Sequence, residues 1–230
     1  MAVGLRLLRL WSITHLLPEL LLAIGLLCTG LLGFAVEMLA KVAPGVPERA
    51  QLALALVGLA GEYAGAVALI VFARKVFHPR ARWAGALAWL TVVALVAALL
   101  GEWLSEQYLH YVDAQPIEGP YVPLGIAARG FAPAWMAIDA FRYHGLIRRR
   151  ARIGLAEPLV VHRVALWGTA SAASAIGHAV GVTHRAIWGT GLEAHTWSLN
   201  LVAGLAFVSA ACIGLAFFPP PVYRRWVRRS

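Results

Sequence analysis

The sequence predicts an all-α fold, a polytopic bundle of six transmembrane helices with the N- and C-termini both cytoplasmic. Three observations carry this. Hydrophobic residues make up 60% of the chain and charged residues 13%, against roughly 45–50% and 25% in soluble domains. The mean hydropathy is +0.72, so too few polar residues exist to coat a water-soluble domain of this length, and lipid is the solvent that suits it. Basic residues alternate between the breaks that separate long apolar runs, heavily in one set of breaks and sparsely in the other.

Crossing a hydrocarbon core of about 30 Å takes roughly 20 helical residues. Six segments qualify: Leu17–Ala40, Gln51–Phe72, Trp83–Leu109, Tyr121–Phe141, Leu159–Val182 and Thr196–Phe218. Turn-forming residues separate them, among them Pro44-Gly45-Val46-Pro47, His78-Pro79, Gly119-Pro120, Gly154, Gly189 and Pro219-Pro220-Pro221. Proline lacks the backbone donor a helix needs, so such clusters mark helix ends. Before the first span, residues 1–15 form an amphipathic segment with Arg6, Arg9, Leu5, Leu8 and Trp11. No small-residue cleavage site follows a short apolar core, so this segment is read as a helix on the inner membrane surface and not a removable leader. Residues 219–230 are a basic tail, and no output domain is expected beyond it. With no internal repeat or polar insertion, 1–230 is read as a single transmembrane domain.

Orientation follows the positive-inside rule. Fifteen Lys and Arg fall before the first span, in the second–third and fourth–fifth breaks, and after the sixth span; three (Lys41, Arg49 and Arg185) fall on the other side. A missed or invented span would scramble that alternation. The basic side is therefore expected to be cytoplasmic. The net charge of +9 is topological, and nucleic acid is not an expected partner; the expected partners are the bilayer, with a membrane or signalling protein or a second copy of the chain left open. Trp83, Trp103, Trp188, Trp197 and Trp226 lie at expected span ends, where amphipathic rings favour the headgroup zone. Trp89, Trp135 and Trp167 sit deeper and are expected to pack between helices. Cys28 and Cys212 lie in apolar runs and read as small buried hydrophobes.

Ionisable side chains inside spans are costly enough that each asks for a partner or a function. Glu62 lies mid-span in Gly58-Leu-Ala-Gly-Glu-Tyr-Ala-Gly65, where Gly61 and Gly65 form a GxxxG step that admits a close neighbouring helix. Glu102, Glu106, His110 and Asp113 follow at i, i+4, i+8 and i+11, which keeps them near one helix face. That stripe reads either as a carboxylate- and imidazole-lined path for a cation or proton, or as a helix solvating one face beyond the lipid. Arg129, one turn before Pro133, lies at a depth similar to Glu102 and Glu106 and is expected to pair with them; the proline should leave its carbonyl without a helical donor. His178 follows Ser171 and Ser174 beside a second GxxxG step at Gly177 and Gly181, with His184 and His195 beyond. Glu62, Glu102, Glu106, Arg129 and His178 are thus candidates for one outward-facing ligand or proton pocket. Glu102, Glu106, His110, His178 and His195 are the candidates for a divalent metal. Toward the cytoplasm, the default reading of Arg163 is that it extends to the interface; an internal ion pair with Asp139 or Glu19 is the alternative.

Several chemistries are set aside. Retinal needs a mid-span lysine, and Lys41 and Lys75 are both terminal. HExxH, GxSxG, P-loop and dinucleotide-binding signatures are absent. A haem between His110 and His178 or His195, or a membrane hydrolase on His178 and carboxylates, stays open, and no cofactor is indicated. The loop Arg148-Arg-Arg-Ala-Arg-Ile-Gly-Leu-Ala-Glu-Pro158 and the ending Phe217-Phe-Pro-Pro-Pro-Val-Tyr-Arg-Arg-Trp226 resemble those of bacterial multi-pass membrane proteins without assigned activity, over about half the chain. Some of these resemble membrane regions that precede signalling modules, and no activity travels with the likeness. The leading expectation is a sensor-like or accessory inner-membrane protein that binds a small ligand, ion or partner. A proton- or ion-coupled transporter with Glu62 as midplane site and a metal-dependent membrane enzyme are the alternatives.

Overall fold

The computed structural model describes residues 2–36, 39, 47–105 and 119–227, and among them every regular element is helical. The chain runs through α1 (Ala2–Thr14), α2 (Leu17–Leu27) with a π-helical continuation (Cys28–Ala35), α3 (Glu48–Phe77) and α4 (Arg82–Leu104). It then runs through α5 (Tyr121–Arg152), α6 (Pro158–Trp188), a 3₁₀ turn (Leu192–Ala194), α7 (Thr196–Phe217) and the short α8 (Pro221–Val227).

Among the described residues, five segments are long and apolar enough to cross a membrane: Leu17–Ala35, Arg49–Phe77, Arg82–Leu104, Pro158–Trp188 and Thr196–Phe217. They coincide with five of the six expected spans, and the protein is an all-helical integral membrane protein. The remaining expected span, α5, is not among the five. At 32 residues it is about 48 Å long, but Arg129, Asp139 and its basic C-terminal turns lower its hydropathy. The reason is its position. α5 packs against α3, α4 and α6 and carries buried residues along most of its length, from Val122 to Ile147. A helix enclosed by protein presents its polar groups to other helices, so it does not need the lipid-facing apolar surface that hydropathy measures. By contrast α7 is mostly exposed or half-buried, with only Ser198 and Ala216 buried, as befits a helix at the edge of the bundle.

The expected close approach at Gly61 and Gly65 is present. A methyl group on Gly61 would lie 2.9 Å from the backbone nitrogen of Gly33, and one on Gly65 would lie 2.8 Å from that of Thr29. These contacts seat α3 directly on the π-helical stretch, backbone against backbone, as small residues permit in membranes. The second step does not behave this way: Gly177 faces open space and Gly181 makes only ordinary contacts.

The amphipathic N-terminal segment is α1. It packs on α2 with Val3, Gly4 and Leu7 buried, and Arg6 Nη1 donates to the carbonyl of Phe217 at the end of α7, 2.6 Å away. The five terminal tryptophans are exposed, as expected; Trp135 is buried and Trp167 packs against the core. Trp89 departs from expectation: it is 68% exposed, because its face of α4 turns away from the bundle. Cys28 and Cys212 are free thiols.

Candidate functional site

Toward the end of the bundle where α4 stops at Leu104 and α5 starts at Tyr121, α3, α4, α5 and α6 bring their polar residues to one place. Glu62 on α3 forms an ion pair with Arg129 on α5, whose side chain is buried. The guanidinium lies over the ring of Tyr63, 5.0 Å from its centroid, and its Nε donates to the Gly125 carbonyl one turn back, at 3.2 Å. Among the described residues Arg129 thus pairs with Glu62 and not with Glu102, while Glu106, the other acid expected beside it, lies outside the described residues. Glu102 takes another partner: the Tyr63 hydroxyl donates to its Oε1 at 2.8 Å. Successive residues of α3 thus hold α5 and α4, Glu62 through charge and Tyr63 through a hydrogen bond.

Glu102 is fully buried, and its Oε2 has no hydrogen-bond partner among the described residues. The space it shares with Tyr63 exists because residue 125 is glycine: a methyl group there would lie 2.0 Å from the Tyr63 hydroxyl and 2.7 Å from Glu102 Oε1. On the far side, Gly33 of the π-helical stretch leaves room for Glu62, whose Cγ lies 2.5 Å from where a Cβ would stand.

His178 joins the assembly from α6. It packs against Gly130, whose added methyl would lie 2.6 Å from its Cβ, within electrostatic range of Arg129. Its Nδ1 makes a 2.8 Å hydrogen bond to the Ser174 carbonyl. Arg185, assigned by sequence to an outer loop, instead sits in the last turn of α6. It is within electrostatic range of Glu102, with Nε and Nη1 buried and without hydrogen-bond partners among the described residues.

Other candidates separate from this assembly. His195 packs with His184, their ring centroids 5.0 Å apart, and with Trp188 at 5.1 Å. Glu106, His110 and Asp113 lie outside the described residues, so of the acidic stripe only Glu102 is placed, two residues before α4 ends at Leu104. No three His, Cys, Asp or Glu side chains come together in a metal-binding group among the described residues.

At the opposite end of the bundle Arg163 is exposed, in line with its default reading, and the acids considered for it have other partners. Asp139 pairs with His78 rather than Arg163, Nε2 to Oδ2 at 2.8 Å, and His78 clusters with the rings of Trp83 and Trp135, centroids 4.7 Å and 5.9 Å away, which also pack on each other at 6.2 Å. Glu19 accepts from the Thr14 hydroxyl. His78 occupies the C-cap of α3, which brings it to the depth of Asp139.

Sequence reasoning did not assign Tyr63, Gly125 or His78 to a site. Tyr63 was flagged only by adjacency to Glu62. Gly125 carries no local signal, because what it accommodates comes from two other helices. Chemically, the assembly can hold or release a proton or a cation at the unpartnered oxygen of Glu102 and relay that change through Tyr63. Comparison with family models, curated proteins and solved structures finds no match to this chain.

Proposed function

We propose that the chain is a six-span protein of the bacterial inner membrane, with both termini cytoplasmic. In this reading it is a sensor-like or accessory protein whose responsive element is the Glu62–Arg129, Tyr63–Glu102 and His178 assembly. The carrying observation is Glu102: a fully buried carboxyl held at Oε1 by Tyr63, with Oε2 lacking a donor among the described residues. Such a group is expensive in hydrocarbon, and a proton, a cation or a ligand's donor group on that oxygen offsets the cost. Its arrival or departure changes the Tyr63 hydrogen bond, and the same ring supports Arg129. A local event at Glu102 therefore bears on α3, α4 and α5 together, as a switch that biases helix packing requires. The six-span count is supported by α5's length and central position and by the alternation of basic breaks.

The test uses the whole chain in lipid nanodiscs, reading hydrogen exchange in α3–α5 across a pH range. A protection change in the wild type that is lost in Glu102→Gln is the expected result. An identical profile in both proteins would overturn the reading.

A second reading, a proton-coupled transporter, is favoured by one observation. His78–Asp139 forms another titratable pair at the inner end of the same two helices, α3 and α5, that carry Glu62–Arg129. It predicts solute or proton flux in proteoliposomes that disappears in Glu62→Gln.

A further inference from the structure

A cavity of about 430 Å³ opens at the inner end of the bundle, within the roughly 300–1,000 Å³ usual for small-molecule sites. α1 forms one wall, and α2, α3, α5, α6 and α7 supply the others. Its walls are apolar, including Phe72, Trp167 and Phe217, and the charged residues that line it are Arg6 and Arg163, with the Tyr143 hydroxyl as a further polar group. No acidic side chain among the described residues lines it.

Both arginines stand apart from the bundle's acids. Arg163 makes no ion pair among the described residues, since Asp139 is taken by His78 and Glu19 by Thr14. Arg6 is held in place without an acid among the described residues: its Nη1 bonds the Phe217 carbonyl at the end of α7, and its guanidinium lies over the Phe218 ring, 5.1 Å from the centroid. Two exposed guanidinium groups beside an apolar cavity, at the end of the bundle where the basic breaks lie, complement a molecule with an anionic head and a hydrocarbon tail. Guanidinium matches phosphate in geometry as well as charge, and the surrounding bilayer supplies such amphiphiles.

We propose that this cavity binds one anionic phospholipid, with its phosphate between Arg6 and Arg163 and an acyl chain reaching Phe72 and Trp167. The amphipathic α1 then has a second role beyond lying at the interface: it closes the wall of a lipid site, and its docking depends on the occupant.

The experiment uses the full chain in mild detergent, titrated with phosphatidylglycerol or phosphatidylcholine carrying brominated acyl chains, with tryptophan quenching as readout. The expected result is a saturable quenching component at several-fold lower mole fraction of phosphatidylglycerol than of phosphatidylcholine. That component should vanish in Trp167→Phe and lose its headgroup preference in Arg6→Gln/Arg163→Gln. It should survive in Arg80→Gln/Arg82→Gln, which removes equal charge elsewhere on the basic side. Val164→Phe, which narrows the cavity and keeps both arginines, should abolish it as well, so the test does not depend on the double variant folding. Equal response to the two lipids, persistence in Trp167→Phe or Val164→Phe, or equal loss in Arg80→Gln/Arg82→Gln would overturn the proposal.

Discussion

The hydroxyl of Tyr63 donates to Oε1 of Glu102 across the α3–α4 interface, while the face of the same ring supports the Arg129 guanidinium. One aromatic side chain thereby couples a hydrogen bond on α4 to an ion pair on α5. Hydrogen bonds between membrane helices are modest, on the order of 0.6–2 kcal/mol, so the value of this one lies in what it positions as much as in its own energy.

Tyr63→Phe should destabilise the bundle by about 1–2 kcal/mol, because it leaves both oxygens of a buried carboxyl without a described donor. Unfolding from mild detergent by titrated dodecyl sulfate measures this. If the loss comes from the stranded carboxyl, Tyr63→Phe/Glu102→Leu will be more stable than Tyr63→Phe alone. A double variant as weak as the sum of the single ones would show that the ring's packing matters instead.

For the ion pair, removing one partner should cost more than removing both. A buried charge deprived of its partner typically costs about 3–5 kcal/mol, whereas an apolar replacement of the whole pair is often near neutral. Glu62→Leu and Arg129→Leu should each broaden or shift the monodisperse elution peak, and Glu62→Leu/Arg129→Leu should recover it in part. Additive damage would argue against coupling between the two residues.

The two GxxxG steps should respond differently to the same change. Gly65→Val forces α3 off the π-helical stretch, where backbone atoms lie within 3 Å of the added carbon, and should cost at least about 1–3 kcal/mol as an overpacked contact. Gly177→Val enters open space and should leave the dodecyl sulfate midpoint unchanged. A matching loss at both sites would mean that Gly177 is packed in the membrane against something outside this chain.

Topology has a direct test. With Cys28 and Cys212 replaced by alanine, a single cysteine at Gly154, between α5 and α6, should react with a membrane-impermeant maleimide only after the membrane is opened. One at Gly191, between α6 and α7, should react in intact spheroplasts. The reverse pattern would invert the bundle, and labelling of both positions from one side would remove a span between them.

Much of the fold was legible because its signals are local. Apolar run length, proline and glycine punctuation and the placement of Arg148–Arg150 or Arg224–Arg225 need only neighbouring residues. Five of the six expected spans are apolar enough to cross a membrane, and α5 fell short for the same reason that it matters: its Arg129 and Asp139 face other helices. Partner choice was less legible. Depth alone suggested Arg129 with Glu102 and Glu106 and did not single out Glu62 or His78, yet among the described residues the structure pairs Arg129 with Glu62 and His78 with Asp139. Depth does not specify rotation about the helix axis, and rotation decides which side chain meets which. The exposure of Trp89 is the same error in another place.

By itself the sequence determined that most of this chain is helical, that lipid surrounds much of it, and which residues are too costly in lipid to be incidental. Tertiary structure alone decided that Glu62, Tyr63, Glu102, Arg129 and His178 meet, because their meeting depends on Gly33, Gly61, Gly125 and Gly130 letting backbones and side chains approach closely across helices. Solvent preference is a property of composition summed along a segment. A site is a property of contacts between segments, set by sterics that no single segment encodes.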